Sequence, residues 1–194
     1  MDDDADQVSS CKKGDLAAFE QLVRKYEKRM FNIAYRITGD YEDTCEIVQD
    51  VFVAAYRGIG SFRGQAKFST WLTSITINYA RNRLKQIGRR RRHEQFSLED
   101  PLPTADGAMK MEAQSNDPPV HELLEKRDIQ SKVKDCVNAL VPDFKEVLIL
   151  KDMQDLSYEE ISAILKVPTG TVKSRLFRAR EAVKVCLKRV MGEL

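Results

Sequence analysis

A polar segment at residues 89–119 divides the chain, and this division constrains the fold more than any other feature of the sequence. The segment holds four of the six prolines in the 194 residues and has no regular apolar spacing. Such a composition buries too little apolar surface to offset the entropy that is lost on ordering. The apolar residues on either side must therefore form separate cores, which predicts two small domains joined by a flexible linker.

Both flanking blocks carry apolar residues at three- and four-residue steps, the spacing of amphipathic helices, and neither alternates like a strand. A glycine-rich loop, GIGSFRG, interrupts the first block at 58–64. We therefore expect an all-α fold. The predicted parts are an acidic N-terminal tail at 1–14, a helical domain at 15–88, the linker at 89–119 and a second helical domain at 120–194.

The charges nearly balance, with 32 basic and 30 acidic residues, yet they are segregated along the chain. Seven basic residues and no acid lie between Arg81 and Arg92, whereas Glu99–Asp117 holds five acids and one lysine. This asymmetry indicates different partners for different segments. No apolar run is long enough for a membrane span, and the N-terminus is too acidic for a secretory signal. These features predict a cytoplasmic protein without membrane insertion.

Cysteine and histidine spacing argues against metal and catalytic sites. The four cysteines are far apart and form no CxxC pair: Cys11, Cys45, Cys136 and Cys186. We expect no metal, no cofactor and ordinary reduced thiols, with a redox role as the alternative. Both histidines, His93 and His121, lie in or beside the linker, and the chain has neither a nucleophile elbow nor a phosphate-binding glycine loop. The sequence therefore predicts a protein that is not an enzyme.

Residues 156–181, LSYEEISAILKVPTGTVKSRLFRARE, have the pattern of a helix-turn-helix. Ser157 and Glu160 have capping-box spacing, and Pro168 suits the start of the second helix. The second helix should bury a narrow stripe formed by Val172, Leu176, Ala179 and Val183. Its other faces carry the candidate contacts to the DNA major groove: Thr171, Lys173, Ser174, Arg175, Phe177 and Arg178. An ordinary solvated surface helix is the alternative.

The helix that begins near Ser69 has a face of mixed aromatic, amide and cationic side chains, and the preceding loop adds more of them. Aromatic rings beside cations can stack on unpaired bases and hold phosphates, which indicates single-stranded DNA. The candidates for this role are Phe62, Lys67, Trp71, Asn78 and Arg81. Alternatively, Phe62, Phe68 and Trp71 are core residues.

The segment GDYEDTCEIVQDVF concentrates acids that would repel DNA and suit a basic protein partner. Acids at the start of a helix also stabilise its dipole, which accounts for Asp43 but not for Asp50.

Together these segments resemble an extracytoplasmic-function sigma factor, a small bacterial relative of sigma-70. The first block resembles its region 2 along GDYEDTCEIVQDVFVAAYRGIGSFRGQAKFSTWLTSITINYARNRL, and the helix-turn-helix resembles its region 4. The similarity covers about 15–86 and 120–188. Cys45 stands where the family frequently has an acid, and the run of arginines at 89–92 is long. That run either holds phosphates or solvates the end of the domain.

The resemblance implies a role for each set of candidates. Core RNA polymerase would bind through its β′ clamp and β flap, with clamp contacts at Asp43, Glu46, Gln49 and Asp50. The −10 element would be melted and held by Phe62, Lys67, Trp71, Asn78 and Arg81, and the −35 element by the helix-turn-helix. The acidic linker would thread toward the polymerase active site, and an anti-sigma factor would regulate the protein. The competing hypothesis is an autonomous helix-turn-helix regulator that binds duplex DNA without polymerase.

Overall fold

The protein is described by a computed structural model that covers residues 4–97 and 120–192, with side chains at 4–90 and 127–192. All regular structure within these ranges is helical, which confirms the predicted all-α class. The helices of the first domain are α1 (Ala5–Lys12), α2 (Leu16–Thr38), α3 (Tyr41–Gly58) and α4 (Phe68–Ser97). The second domain contains α5 (Val120–Asn138), α6 (Pro142–Leu148), α7 (Tyr158–Leu165) and α8 (Thr169–Met191).

Helices α2, α3 and α4 pack around the core of the first domain, and local signals fix where they begin and end. Asp15 caps α2 by accepting from the amide of Ala17 at 2.9 Å, and Gly39 ends the helix in a left-handed conformation with φ of 80°. A short 3₁₀ turn at Ile59–Ser61 then leads into the glycine-containing loop before α4. The fully buried side chains include Leu22, Met30, Ile33, Val51, Phe68 and Leu72.

The N-terminal segment predicted as an acidic tail instead contains a docked helix, α1. It buries Val8 and Cys11, and the buried carboxylate of Asp4 accepts hydrogen bonds from the Tyr26 hydroxyl and, at 2.6 Å, from Lys25 Nζ. Two apolar positions are too few for periodicity to reveal the helix from sequence. At the other end of the domain, α4 continues into the segment predicted as linker.

The helix-turn-helix pattern is confirmed as α7, a turn and α8. Ser157 Oγ accepts from the amide of Glu160 at 3.2 Å, and Glu160 Oε2 accepts from the amide of Ser157 at 2.9 Å, so both halves of the capping box are present. Val172, Leu176 and Ala179 are buried as predicted, and Val183 packs at the edge of the same core. A π-helical turn at Ile149–Met153 connects α6 to the segment before α7.

The cysteine prediction is wrong for two of the four residues, because Cys136 and Cys186 form a disulfide. They are 50 residues apart, yet the packing of α5 against α8 brings their Cα atoms to 5.7 Å. Spacing along the sequence carries no information about such a pair, since tertiary packing alone creates it. Cys11 and Cys45 are free thiols, the first buried and the second exposed.

The two domains pack against each other and share one hydrophobic cluster. Helix α4 contacts α7, and α2 contacts α6 and the π-helical turn. Polar links reinforce this contact, because Lys145 Nζ donates to the carbonyl of Ile37 at 3.0 Å and Arg29 Nε donates to Gln154 Oε1 at 3.1 Å. Burial lowers the pKa of Lys145. The molecule is therefore in a closed arrangement of its two domains.

Candidate nucleic-acid interface

Three aromatic rings meet where the loop enters α4. The ring of Phe62 lies 5.0 Å from that of Trp71 and 6.0 Å from that of Phe68, measured between centroids. Phe68 is completely buried and is therefore a core residue, one of the two alternatives left open by the sequence. Phe62 and Trp71 are only partly buried and form the outer edge of the cluster. Two partly accessible rings beside each other can stack on a base.

Two neighbours support the rim formed by Phe62 and Trp71. Gly58, the last residue of α3, lies under the indole, and a Cβ atom there would approach Trp71 Cζ2 to 3.3 Å. Lys12 of α1 donates a hydrogen bond of 2.6 Å to the carbonyl of Phe62. The loop is thus held between α1 and α3 and not left free.

A cavity of about 410 Å³ lies beside the rim. The loop and α4 supply most of its wall, including Arg63, Gln65, Thr70 and Ser74, while Ala163 and Ile164 of α7 close the other side. At the same boundary, Lys67 Nζ donates to Glu160 Oε1 at 3.3 Å. The second domain therefore contacts the surface that carries the rim.

Further along α4, the two remaining candidates of this face have different surroundings. Asn78 is exposed. Arg81 donates from Nε to Glu146 Oε1 at 2.6 Å and from its terminal nitrogen to Glu146 Oε2. This pairing with a carboxylate that is almost fully buried raises the pKa of Arg81. In the closed arrangement Arg81 is thus occupied by the second domain.

The candidate contacts on the acidic surface of α3 also differ in whether another residue of the protein pairs with them. Arg83 of α4 donates to Asp43 Oδ1 at 2.6 Å and to Glu46 Oε2 at 2.7 Å, which raises the pKa of the arginine. Gln49 and Asp50, one turn further on, are exposed. An approaching basic partner would meet Gln49 and Asp50 directly, whereas it would have to share Asp43 and Glu46 with Arg83.

Helix α8 presents most of its candidates to solvent. Phe177 is 68% exposed, which is unusual for an aromatic side chain, and Arg178 and Ser174 beside it are also exposed. Lys173 extends over the ring of Tyr158 with its Nζ 5.4 Å from the centroid. Thr171 is partly buried at the start of the helix.

Arg175 differs from the other α8 candidates because its guanidinium forms a salt bridge with Asp143 of α6. It is therefore turned toward its own domain. Arg180, which the sequence did not single out, is tied in the same way by hydrogen bonds to Asp152, the longer of them 3.0 Å.

Sequence reasoning missed the groups that join the domains. Lys145 and Glu146 are buried although both are charged, and each contacts the first domain. The available signal was their position in the run FKEVLIL, where two charges interrupt apolar residues on both sides. Charged residues are almost never buried unless they are paired, so such a position indicates partners elsewhere in the fold.

Among the described side chains, at residues 4–90 and 127–192, no cluster of three or more metal-ligating groups occurs. None of the helices in the described part of the chain is long and apolar enough to cross a membrane. The acidic stretch of the linker lies outside the described residues. So do the side chains of Arg91 and Arg92 from the arginine run, while Arg89 and Arg90 are exposed.

Comparison with known proteins identifies both domains. Residues 22–91 match the family model of sigma-70 region 2, and residues 130–183 match that of sigma-70 region 4. The RNA polymerase sigma-H factor of Pseudomonas aeruginosa is 34% identical over 194 residues, which covers 100% of this chain and 98% of the relative. The ECF RNA polymerase sigma-E factor of Escherichia coli K12 is 36% identical over 179 residues, or 91% of this chain and 90% of the relative.

Solved structures have the same fold. The sigma factor RpoE of Bartonella quintana, solved in complex with the anti-sigma factor NepR, aligns with a TM-score of 0.68 at 23% identity, over 88% of this chain and 96% of that one. CnrH, solved with the cytosolic domain of CnrY, aligns with a TM-score of 0.66 at 21% identity, over 94% and 96%. A region 2 domain followed by a region 4 domain defines a protein of the sigma-70 class. The chain belongs to the extracytoplasmic-function group of that family, whose members are not enzymes.

Proposed function

We propose that this protein directs bacterial RNA polymerase to a specific set of promoters, by holding a duplex −35 element on one domain and a melted −10 element on the other. The observation that supports the proposal is a pair of separate surfaces with side chains suited to nucleic acid: the aromatic rim of Phe62 and Trp71, and the exposed face of α8 around Phe177 and Arg178. Two weak contacts on tethered domains gain from their high effective concentration. The protein contributes binding and position, and no catalytic step.

At −10, we assign stacking of an unpaired base to Phe62 and Trp71. Once α7 has moved away, the wall of the cavity that the loop and α4 supply would receive that base, with Lys67 and Arg81 at the phosphates and Asn78 at a base edge. At −35, we assign base readout to Arg178 and the thymine methyl or sugar contact to Phe177. Thr171, Lys173 and Ser174 complete this interface.

For the polymerase, we assign Gln49 and Asp50 as the first contacts of the β′ clamp, supported by their exposure on α3. Asp43 and Glu46 complete this surface after sharing or releasing Arg83. The second domain would contact the β flap. These activities require chromosomal DNA and polymerase, so we propose a cytoplasmic location, with the protein on the nucleoid when it is active.

The closed arrangement restricts the −10 surface, because α7 forms one wall of the cavity and Glu146 occupies Arg81. Binding to polymerase and promoter would therefore separate the domains. We propose that an anti-sigma factor opposes this separation. Two proteins of the same fold were solved with a bound partner, RpoE with the anti-sigma factor NepR and CnrH with the cytosolic domain of CnrY.

Transcription in vitro tests the proposal. Purified core RNA polymerase is incubated with a pool of random promoter fragments, with and without the full-length protein. We expect transcripts only in the presence of the protein, and their templates should share two sequence elements upstream of the start site. Binding of the protein alone to duplex fragments, with no redirected transcription, would instead support an autonomous regulator.

A further inference from the structure

The disulfide between Cys136 and Cys186 is not explained by promoter recognition. We propose that this pair is a reversible thiol–disulfide site that is oxidised by a low-molecular-weight disulfide. Under oxidising conditions the bond between the two cysteines cross-links the helix-turn-helix domain. Disulfides in a reducing cytoplasm are usually transient and regulatory, since cellular thiols reduce them. We therefore expect this bond to form and break as the redox state of the surroundings changes.

The position of the bond supports this role. It joins α5 to the C-terminal part of α8 and closes a loop of chain that contains α6, the π-helical turn, α7 and the first part of α8. All α8 candidates for DNA contact, Thr171 to Arg178, lie inside that loop. Arg178 is eight residues from Cys186, about 12 Å along a helix that rises ~1.5 Å per residue. Oxidation would thus constrain the DNA-binding element without covering its DNA face.

The two cysteine residues differ in exposure, from which we infer the order of the reaction. Cys136 is only 2% exposed, whereas Cys186 is partly exposed on α8. A small disulfide or thiol would therefore reach Cys186 first. Cys136 is already packed against it and would act as the resolving thiol.

The exchange proceeds in two balanced steps. The Cys186 thiolate attacks one sulfur of the small disulfide, which forms a mixed disulfide and releases one small thiolate. The Cys136 thiolate then attacks the sulfur of Cys186, which forms the protein disulfide and releases the second small thiolate. The protein loses two electrons and two thiol protons in total, and the small disulfide gains them as two thiols. Excess small thiol reverses both steps.

Oxidation would change the second domain in a measurable way. Without the bond, α5 packs on α8 through noncovalent contacts alone, and Val133 and Val137 of α5 and Val183 of α8 belong to the shared hydrophobic cluster. Because a cross-link over 50 residues removes much conformational freedom from the unfolded chain, the oxidised protein should melt at least about 5 °C higher. Amide hydrogen exchange in the last turns of α8 should slow at least tenfold.

The test uses the full-length protein with the other two thiols removed, C11S/C45S, because Cys45 is exposed and would form its own mixed disulfides. The protein is equilibrated with glutathione and glutathione disulfide in varying ratio, alkylated and examined by mass spectrometry and thermal melting. We expect both thiols to disappear together in one transition, with Cys136 linked to Cys186 in the same chain. Dithiothreitol should restore both thiols and the lower melting temperature.

Single variants test the order of attack. In the same background, C136S should accumulate a glutathione adduct on Cys186, whereas C186S should keep a free thiol at Cys136. The proposal is overturned if both thiols persist at every ratio, if a glutathione adduct is the end product in C11S/C45S, or if the linkage joins two chains. Equally fast adduct formation at Cys136 in C186S would contradict the assigned order of attack.

Discussion

Arg81 of α4 and Glu146 of α6 form a two-point ion pair between the domains, with Nε and Oε1 2.6 Å apart and the carboxylate almost fully buried. A buried charge is costly unless it is paired. The buried carboxylate of the second domain therefore depends on an arginine of the first. The same arginine is a candidate for −10 DNA. We therefore propose that Glu146 competes with DNA for Arg81.

Replacing Glu146 should shift the protein toward separated domains. Because Arg81 remains partly exposed and water screens the pair, E146Q should weaken the closed arrangement by about 1–2 kcal/mol. Energy transfer between dyes on the two domains should fall, and binding of the free protein to single-stranded −10 DNA should rise severalfold. D152N is the control, since it breaks an ion pair within the second domain. Equal effects in both variants would contradict the competition.

Trp71→Ala should impair promoter melting more than duplex binding. Loss of one stacked base costs about 1–3 kcal/mol, so binding of melted −10 DNA by the holoenzyme should fall roughly 10- to 100-fold. The −35 interaction should be unchanged. Ile33→Val is the control, because Ile33 of α2 is buried in the core and should affect stability but not stacking. Equal loss of melted −10 binding and of −35 duplex binding in W71A would indicate that Trp71 is a core residue and not a stacking residue.

Arg178 and Arg175 should respond differently to removal, although they are three residues apart on α8. Arg178→Ala should weaken −35 binding by about 1–3 kcal/mol and relax preference at one base pair, the effect of a lost base contact. Arg175→Ala should chiefly lower thermal stability, since its guanidinium is paired with Asp143. Binding titrations with single-base variants of the −35 element distinguish them. Unchanged base preference in R178A would contradict the assignment.

Charge reversal at Asp50 should weaken the polymerase complex. D50R places a cation where α3 would meet the basic clamp, so the affinity of the protein for core polymerase should fall at least tenfold. Binding of −35 DNA by the helix-turn-helix should be unaffected. Glu27→Arg, an equal charge change at an exposed site on α2, is the control. Normal holoenzyme assembly by D50R, measured by fluorescence anisotropy, would exclude this contact.

Glu160 should make stability depend on pH. Its pKa is lowered, chiefly by the hydrogen bond from the Ser157 amide, with further contributions from the Ser157 hydroxyl and Lys67 against the opposing effect of burial. A carboxylate with a lower pKa in the folded state stabilises the fold above its unfolded pKa, and this contribution disappears as pH falls through the folded value. E160Q should therefore unfold about 0.5–1.5 kcal/mol more easily at neutral pH and show little difference from the wild type in strong acid.

Urea unfolding at both pH values measures this effect. Glu159→Gln, at the neighbouring exposed position, is the control and should behave like the wild type. A deficit of E160Q that persists unchanged in acid would mean that its charge is not responsible.

The sequence was most informative where structure is local. The capping box of Ser157 and Glu160 and the buried stripe of Val172, Leu176 and Ala179 follow from residue spacing within single helices, and both are present. Phe62 and Trp71 were predicted as DNA contacts with a core role as the alternative, and spacing could not decide how far each of them enters the core beside Phe68. Which ring is buried depends on helices α2 and α3, which are distant in sequence.

What the sequence did not reveal comes from contacts over long separations. The bonds of Arg81 with Glu146 and of Cys136 with Cys186 depend on how domains and helices pack, which no local pattern encodes. Helix α1 was missed because it buries only Val8 and Cys11 and is stabilised by the pairing of Asp4 with α2. An acidic residue in a polar N-terminal stretch gives no sign that it will be buried.

Chemical probing of unpaired bases tests the central claim most directly. A promoter selected from the transcription pool is treated with permanganate, which modifies unpaired thymines, in the presence of core polymerase, this protein, or both. We expect reactive thymines in the −10 element only when both are present, and their loss in W71A. Protection of duplex DNA by the protein alone, with no melting when core polymerase is added, would contradict it.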